Sequence, residues 1–275
     1  MISKPLKGVV HVLKFFADIG KSRQMMFSLS WYDFRNRYRG SYLGMFWAFV
    51  NPFVTIVIFW FLFSVAFKAQ PAKNNLPFIV WFLAGVAPWN FFADALMYTA
   101  SAITSNSFLV KKLSIRLSLL PIVKILSSLI FHFLFFCVAI VLMIANGLAP
   151  SIYWLQIIYY MTELFVLLLG LGLISSALAV FTRDVENVIG VTLQFGFWLT
   201  PIFWSLQVVP QRYQWLLELN PMFYIVRGYR DSLINKVWFW EYGTGNIYYW
   251  VLYVFIFLIG ALIFRRLRSH FADVL

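Results

Sequence analysis

The chain has 275 residues, of which 62% are hydrophobic, 21% aromatic and 12% charged, where a soluble domain carries about 25% charged residues. So little charge cannot cover a water-soluble surface, and the apolar residues fall in runs longer than a soluble core uses, so a cytosolic enzyme, a disordered chain and, with Cys137 the only cysteine, a secreted disulfide scaffold are excluded. The net charge of +12 invites a nucleic-acid partner, but the placement of the basic residues assigns it to membrane topology, and no nucleic acid is expected.

Residues 1–42 are too charged to span a bilayer, and with no long apolar run before residue 43 no signal peptide is expected. Val9, Val12, Leu13, Phe16 and Ile19 recur at roughly helical spacing, and Phe27, Trp31, Phe34 and Tyr38 then follow on one helical face, with Asp33, Arg35, Arg37 and Arg39 on the others. An aromatic stripe beside a basic face describes an amphipathic helix lying in the membrane interface. Two roles stay open for its arginines: topology charges on a membrane anchor, or reception of an anionic lipid-linked head group by Arg35, Arg37 and Arg39. Gly20-Lys21-Ser22 is not a phosphate-binding loop, because the glycine that such a loop needs is replaced by Phe15.

Six apolar stretches are long enough for a hydrocarbon core of about 30 Å, which takes about 20 helical residues. They lie near 43–67, 77–103, 121–145, 153–181, 188–206 and 247–264, which gives an all-α integral membrane domain over 43–268 and a short tail over 269–275. Fifteen lysines and arginines fall in residues 1–42, the 104–120 and 182–187 loops and the tail, against six on the other side, so both termini are expected in the cytoplasm. Between the fifth and sixth spans, Pro210 and the Asn220-Pro221 pair punctuate a non-spanning stretch. Asn caps a helix and Pro suits its first turn. Met222, Ile225, Val226, Tyr229 and Leu233 then share one face, with Arg227, Arg230 and Asp231 opposite. Two short outer-side helices are therefore expected within 207–240, the first over 211–219, either gating an exit or padding the outer interface.

Asp94, His132 and Glu163 are ionisable residues in or near spans, where charge faces protein or water. Structural pairing or a subunit contact is preferred over a proton relay, since they lie on three different spans. Neither metal-ligand spacing nor a nucleophile–base arrangement is seen in the sequence, so no catalytic residue, metal or cofactor is expected in this chain. The aromatics supply interfacial belts. They also crowd two spans, with Phe59, Trp60, Phe63 and Phe67 in the first and Phe195, Trp198, Phe203 and Trp204 in the fifth. Flat aromatic faces suit sugar rings, so a sugar-conducting lining stands beside ordinary packing as a reading of these residues.

The ordered motifs resemble a known family. Trp31, Asp33, Arg37-Tyr38, Ser41, Leu43-Gly44 and Trp47, followed by Asn51-Pro52, look like the opening of ABC-2-type permeases that export lipid-linked polysaccharides. Pro88-Trp89-Asn90-Phe91-Phe92, Leu109-Val110-Lys111-Lys112, Arg183-Asp184-Val185 and Leu219-Asn220-Pro221 with Arg230 look like its later signatures, in unbroken order from about 27 to 268. The loop after the double lysine departs from the family, reading Leu113-Ser114-Ile115-Arg116 where a Phe-Pro pair is frequent.

The resemblance implies the membrane subunit of an exporter of O-antigen, teichoic acid or capsule chains on a polyprenyl-pyrophosphate or related lipid, in the bacterial cytoplasmic membrane. It implies a homodimer with two separate ATPase subunits that bind the ATP and magnesium. It places Lys111, Lys112 and Arg116 at the ATPase contact, and makes Phe59, Trp60, Phe63, Phe67, Phe195, Trp198 and Trp204 channel-lining candidates. A rival within the family is a permease for a drug or another small amphiphile. A rival outside it is a non-transporting scaffold or a glycolipid-processing enzyme.

Overall fold

A computed structural model describes residues 23–66, 76–107, 117–243 and 245–275. The expectations for Gly20-Lys21-Ser22, Phe67, Lys111, Lys112 and Arg116 fall outside these residues. Among the described residues the chain is helical throughout, without a β-strand. The main helices are α1 (Arg23–Asn36), α2 (Trp47–Trp60), α3 (Phe78–Ala100), α4 (Leu119–Ala145), α5 (Ile157–Ala179), α6 (Asp184–Leu199), α7 (Gln211–Glu218), α8 (Pro221–Arg230) and α9 (Gly245–Leu267).

Five helical stretches among the described residues are long and apolar enough to cross a membrane: Gly44–Ala66, Phe78–Ala100, Leu119–Ala145, Ile152–Ala179 and Gly245–His270. The stretch expected at 188–206 takes a different form. Its helix, α6, has 16 residues, or about 24 Å, and ends where Thr200 turns to extended backbone before Pro201. Proline has no N–H to continue the ladder and pushes the preceding residue out of the helical region. The rest of that stretch is irregular as far as a short 3-10 turn at Leu206–Val208.

α3 is the axis of the bundle. Its apolar window is 78% buried, against 12% for the first span, and it packs on α4, α5, α6 and α8. α5 and α9 cross in close contact at Gly170 and Gly260, where a Cβ on Gly170 would lie 2.7 Å from the Phe257 amide nitrogen and one on Gly260 would strike the Gly170 carbonyl. Small residues allow such backbone approach where water supplies no driving force.

At the end of the bundle that carries the start of α3, α7 and α8 form a hairpin. Asn220 caps α8, its Oδ1 accepting from the Met222 amide at 2.9 Å, with Pro221 at the first position. Met222, Ile225, Val226, Tyr229 and Leu233 are all buried, as their spacing requires. Arg230 and Asp231, expected on the polar face, are buried too. The hairpin turn is fixed to α9 by Tyr249, whose hydroxyl donates to the Glu218 carbonyl, and Tyr253, which donates to that of Pro221, both at 2.7 Å.

Candidate translocation surface and its supports

At the opposite end, α1 packs on α4 through a network of four charges. Lys124 of α4 donates to Asp33 at 2.5 Å. Arg37 contacts Asp33 at 3.7 Å and Asp94 of α3 at 2.9 Å, donates to Ser128 at 2.9 Å, and lies 3.6 Å from the Tyr98 ring centroid. Two cations balance two carboxylates, the pairing under which buried charge is tolerated, while Arg37 Nε and Asp33 Oδ2 face each other at 3.7 Å, an ion-pair contact too long for a hydrogen bond. Burial raises the Tyr38 hydroxyl above its ordinary range against the opposing pull of Arg37, so Tyr38 is a neutral group beside the network.

This arrangement gives α1 a protein-facing side that includes two of the charges expected on its polar faces, Asp33 and Arg37. The residues it buries are Met26, Ser30 and Phe34, while Phe27 is 69% and Trp31 43% exposed. Asp33 and Arg37 turn inward with the buried face because Lys124, Asp94 and Ser128 wait there. Arg37, a candidate for an anionic head group, is 8% exposed with its guanidinium engaged inside the protein; Arg35 and Arg39 are exposed. Asp94 is thus paired. Glu163 is fully buried on α5 near Tyr159, and His132 is buried against Phe91, Phe136 and Tyr229.

The aromatics divide into two sets. Phe59 and Phe63 of the first span stack on Phe82 and Phe78 of α3, each at 4.6 Å, and meet Phe203 at 6.4 and 5.9 Å. With Phe197 of α6 they form a box of six phenylalanines joining α2, α3 and the end of α6. The first span winds as a π-helix over Phe61–Ala66 beside this box, a distortion frequent at functional sites. Trp60 and Phe195 stay outside the box, exposed by 46% and 67%, while Trp198, 60% exposed, sits on its rim, edge-on to Phe203 at 5.0 Å and to Phe197 at 5.9 Å. Trp204 is half-buried and donates to the Trp198 carbonyl at 3.1 Å. Val188, Val191, Phe195 and Trp198 form one exposed apolar stripe along α6.

Behind that stripe, α6 leaves an apolar cavity of about 580 Å³ against α3 and α5, walled by Trp89, Phe92, Leu171 and Leu193 and reaching Asn220. Among the described residues no group of three or more metal-ligating side chains exists. What the sequence did not single out is the set of partners of the charges: Lys124, Tyr98 and Ser128. Lys124 was legible only as a lone cation at the start of a span.

A helical protein that crosses a membrane several times is the class these features define. Residues 24–234 match the family model for the ABC-2 type transporter, and the chain belongs to that family. It is 25% identical to an O-antigen export system permease protein RfbA of Klebsiella pneumoniae over 269 residues, covering 96% of this chain and 99% of that protein. It is 27% identical to the RfbA of Myxococcus xanthus over 223 residues (80% and 84% of the two chains). It is 23% identical to the polysialic acid transport protein KpsM of Escherichia coli over 208 residues (74% and 78%).

Proposed function

We propose that this chain is the transmembrane subunit of an ATP-driven exporter that moves a lipid-linked polysaccharide, of the O-antigen type or a teichoic-acid or capsular polymer, across the bacterial cytoplasmic membrane. The observation that carries this reading is end-to-end similarity to an O-antigen export permease, over 99% of that protein's length. The chain performs no catalysis; ATP and magnesium belong to a separate nucleotide-binding subunit, two copies of which serve a homodimer.

In this reading α6 and the irregular segment after it complete a sixth crossing, and both termini are cytoplasmic. The α1 end then faces the ATPase subunits, with Lys111, Lys112 and Arg116 at their contact. Arg35 and Arg39, which are exposed, receive the anionic head group of the carrier lipid, while Arg37 holds α1 in place through Asp94 and Ser128. The α6 stripe with Phe195 and Trp198, together with Trp60 of the first span, faces the corresponding surface of a second copy and lines the path. Aromatic faces stack on sugar rings while tolerating many sequences, much as they do on bases.

The test is purification of the tagged protein from its native membrane in a mild detergent, with mass spectrometry of what accompanies it. A stoichiometric ATPase subunit is expected. A lone protein, found again in an amphipol, contradicts the half-transporter assignment. Retention of the ATPase together with transport of a small amphiphile, independent of glycan synthesis, favours the drug-permease alternative.

A further inference from the structure

Arg230 ends α8, and its side chain points into the protein, 7% exposed. Its Nη1 donates to the Pro201 carbonyl at 2.5 Å and its Nη2 to the Ile202 carbonyl at 2.6 Å. Nε reaches the Trp81 carbonyl at 3.5 Å, and the guanidinium carbon lies 3.4 Å from the Trp81 ring centroid. The fork therefore holds two consecutive carbonyls of the segment where α6 has stopped.

Those carbonyls need such a partner. Irregular backbone at membrane depth persists only where protein satisfies it, and α6 breaks at Thr200 with Pro201 unable to donate. Arg presents several donors in one rigid plane, whereas Lys is a point charge on a flexible stem. A second tie comes from the other end of α8, where Asn220 Nδ2 donates to Thr200 Oγ1 at 2.8 Å. Both ends of one short helix thus hold residues 200–202.

The seat for the guanidinium is made by Gly85, four residues after Trp81 on the same face of α3. A Cβ at Gly85 would lie 2.5 Å from Arg230 Nη2, 3.1 Å from Cζ and 3.2 Å from the Ile202 carbonyl oxygen. Any other residue there would push the fork from its carbonyls.

We propose that Arg230, seated on Gly85, is a positioning residue that latches the broken end of α6 to α8, so that residues 200–202 and the α7–α8 hairpin move as one body when the exit opens. The latch stands on geometry alone; its consequence for transport rests on the exporter reading.

The reporter is Ile202, which is fully buried. Ile202→Cys is placed in a Cys137→Ser background, Cys137 being the only cysteine, in the full chain with its native partners in membranes. Alkylation by N-ethylmaleimide is expected to be at least tenfold faster in Arg230→Lys and in Gly85→Ala, at unchanged protein level, with Arg227→Lys on the same helix showing no change. Gly85→Ala improves the helix propensity of α3, so faster labelling there cannot come from a weakened helix. Because its Cβ also lies 3.2 Å from the Ile202 carbonyl oxygen, it is compared with the double variant carrying Arg230→Lys, or Arg230→Gln if Lys does not accumulate. There a latch gives no acceleration beyond the larger single effect, and a direct clash gives more and overturns the latch. Unchanged labelling in Gly85→Ala overturns the latch. In the second arm, glycan exported per ATP hydrolysed is expected to fall at least tenfold in both variants while ATP hydrolysis persists. Faster labelling with undiminished export leaves the latch in place and overturns its part in transport.

Discussion

Removing Asp94 tests whether α1 is held by ion pairs or by its membrane-facing aromatics. Asp94→Ala takes away the carboxylate 2.9 Å from Arg37. At an effective dielectric of about 20 this contact corresponds to about 6 kcal/mol of direct attraction. Arg37 keeps Asp33 at 3.7 Å, and the lost carboxylate was 24% exposed, so the second partner and solvent offset most of that figure. About 2 kcal/mol remains, the usual scale for a hydrogen bond to a charged group, which is about thirtyfold in a local opening equilibrium. Hydrogen exchange of the α1 amides over 23–36, measured on protein in nanodiscs, is therefore expected to accelerate about thirtyfold, with α9 unchanged. Arg37→Gln should give a similar acceleration, and the double variant should fall short of the sum of the two by about 2 kcal/mol, because residues in contact are not additive. Unchanged exchange in α1, or strictly additive effects, would show that Phe27, Trp31 and the bilayer hold the helix and that the network is incidental.

The two aromatic sets predict opposite consequences. Phe63→Ala opens a hole in the phenylalanine box and should lower stability by about 3 kcal/mol, seen as a fall in the thermal midpoint in detergent. Trp198→Ala, at a largely exposed position that keeps two edge-on contacts to Phe197 and Phe203, should lower stability by only about 1 kcal/mol yet reduce glycan export. Equal stability loss in both, or full export by Trp198→Ala, would remove the distinction. Gly260→Ala drives a methyl into the Gly170 carbonyl and should destabilise the α5–α9 pair by about 2 kcal/mol, whereas Gly190→Ala, whose Cβ would meet only the end of Met97 at 3.5 Å, should be silent in the same melt. Asn220→Ala loses the α8 cap and the tie to Thr200 together, so its loss should exceed the roughly 1 kcal/mol of a cap alone, with Asn220→Asp recovering the cap portion.

Five of the six expected spans were legible because a bilayer imposes a length on apolar runs. The α8 start was legible because Asn-Pro is a local signal, complete within two residues of itself. Arg230 was read as part of a polar face, since its partners are main-chain carbonyls 28 and 29 residues earlier, which carry no side-chain signature. The same distance hid the true face of α1: Asp33 and Arg37 look like surface charges until Lys124, Ser128 and Asp94, between 57 and 91 residues away, are folded against them. In the 188–206 run the average is apolar, so composition suggested one full span although Pro201 lies within it; that the chain stays broken there is supported by Arg230 on the Pro201 and Ile202 carbonyls and by Asn220 on the Thr200 hydroxyl. The stacking of Phe59 and Phe63 on Phe82 and Phe78 was likewise not legible, because crowded phenylalanines do not name their partners in sequence.

Transport of a lipid-linked glycan is tested most directly by deleting this chain in its own cell and following the polymer. Surface polysaccharide is expected to disappear, carrier-linked polymer to accumulate inside the cytoplasmic membrane, and the chain supplied on a plasmid to reverse both. Unaltered surface polysaccharide with no internal accumulation, in a strain that still synthesises the polymer, would contradict it.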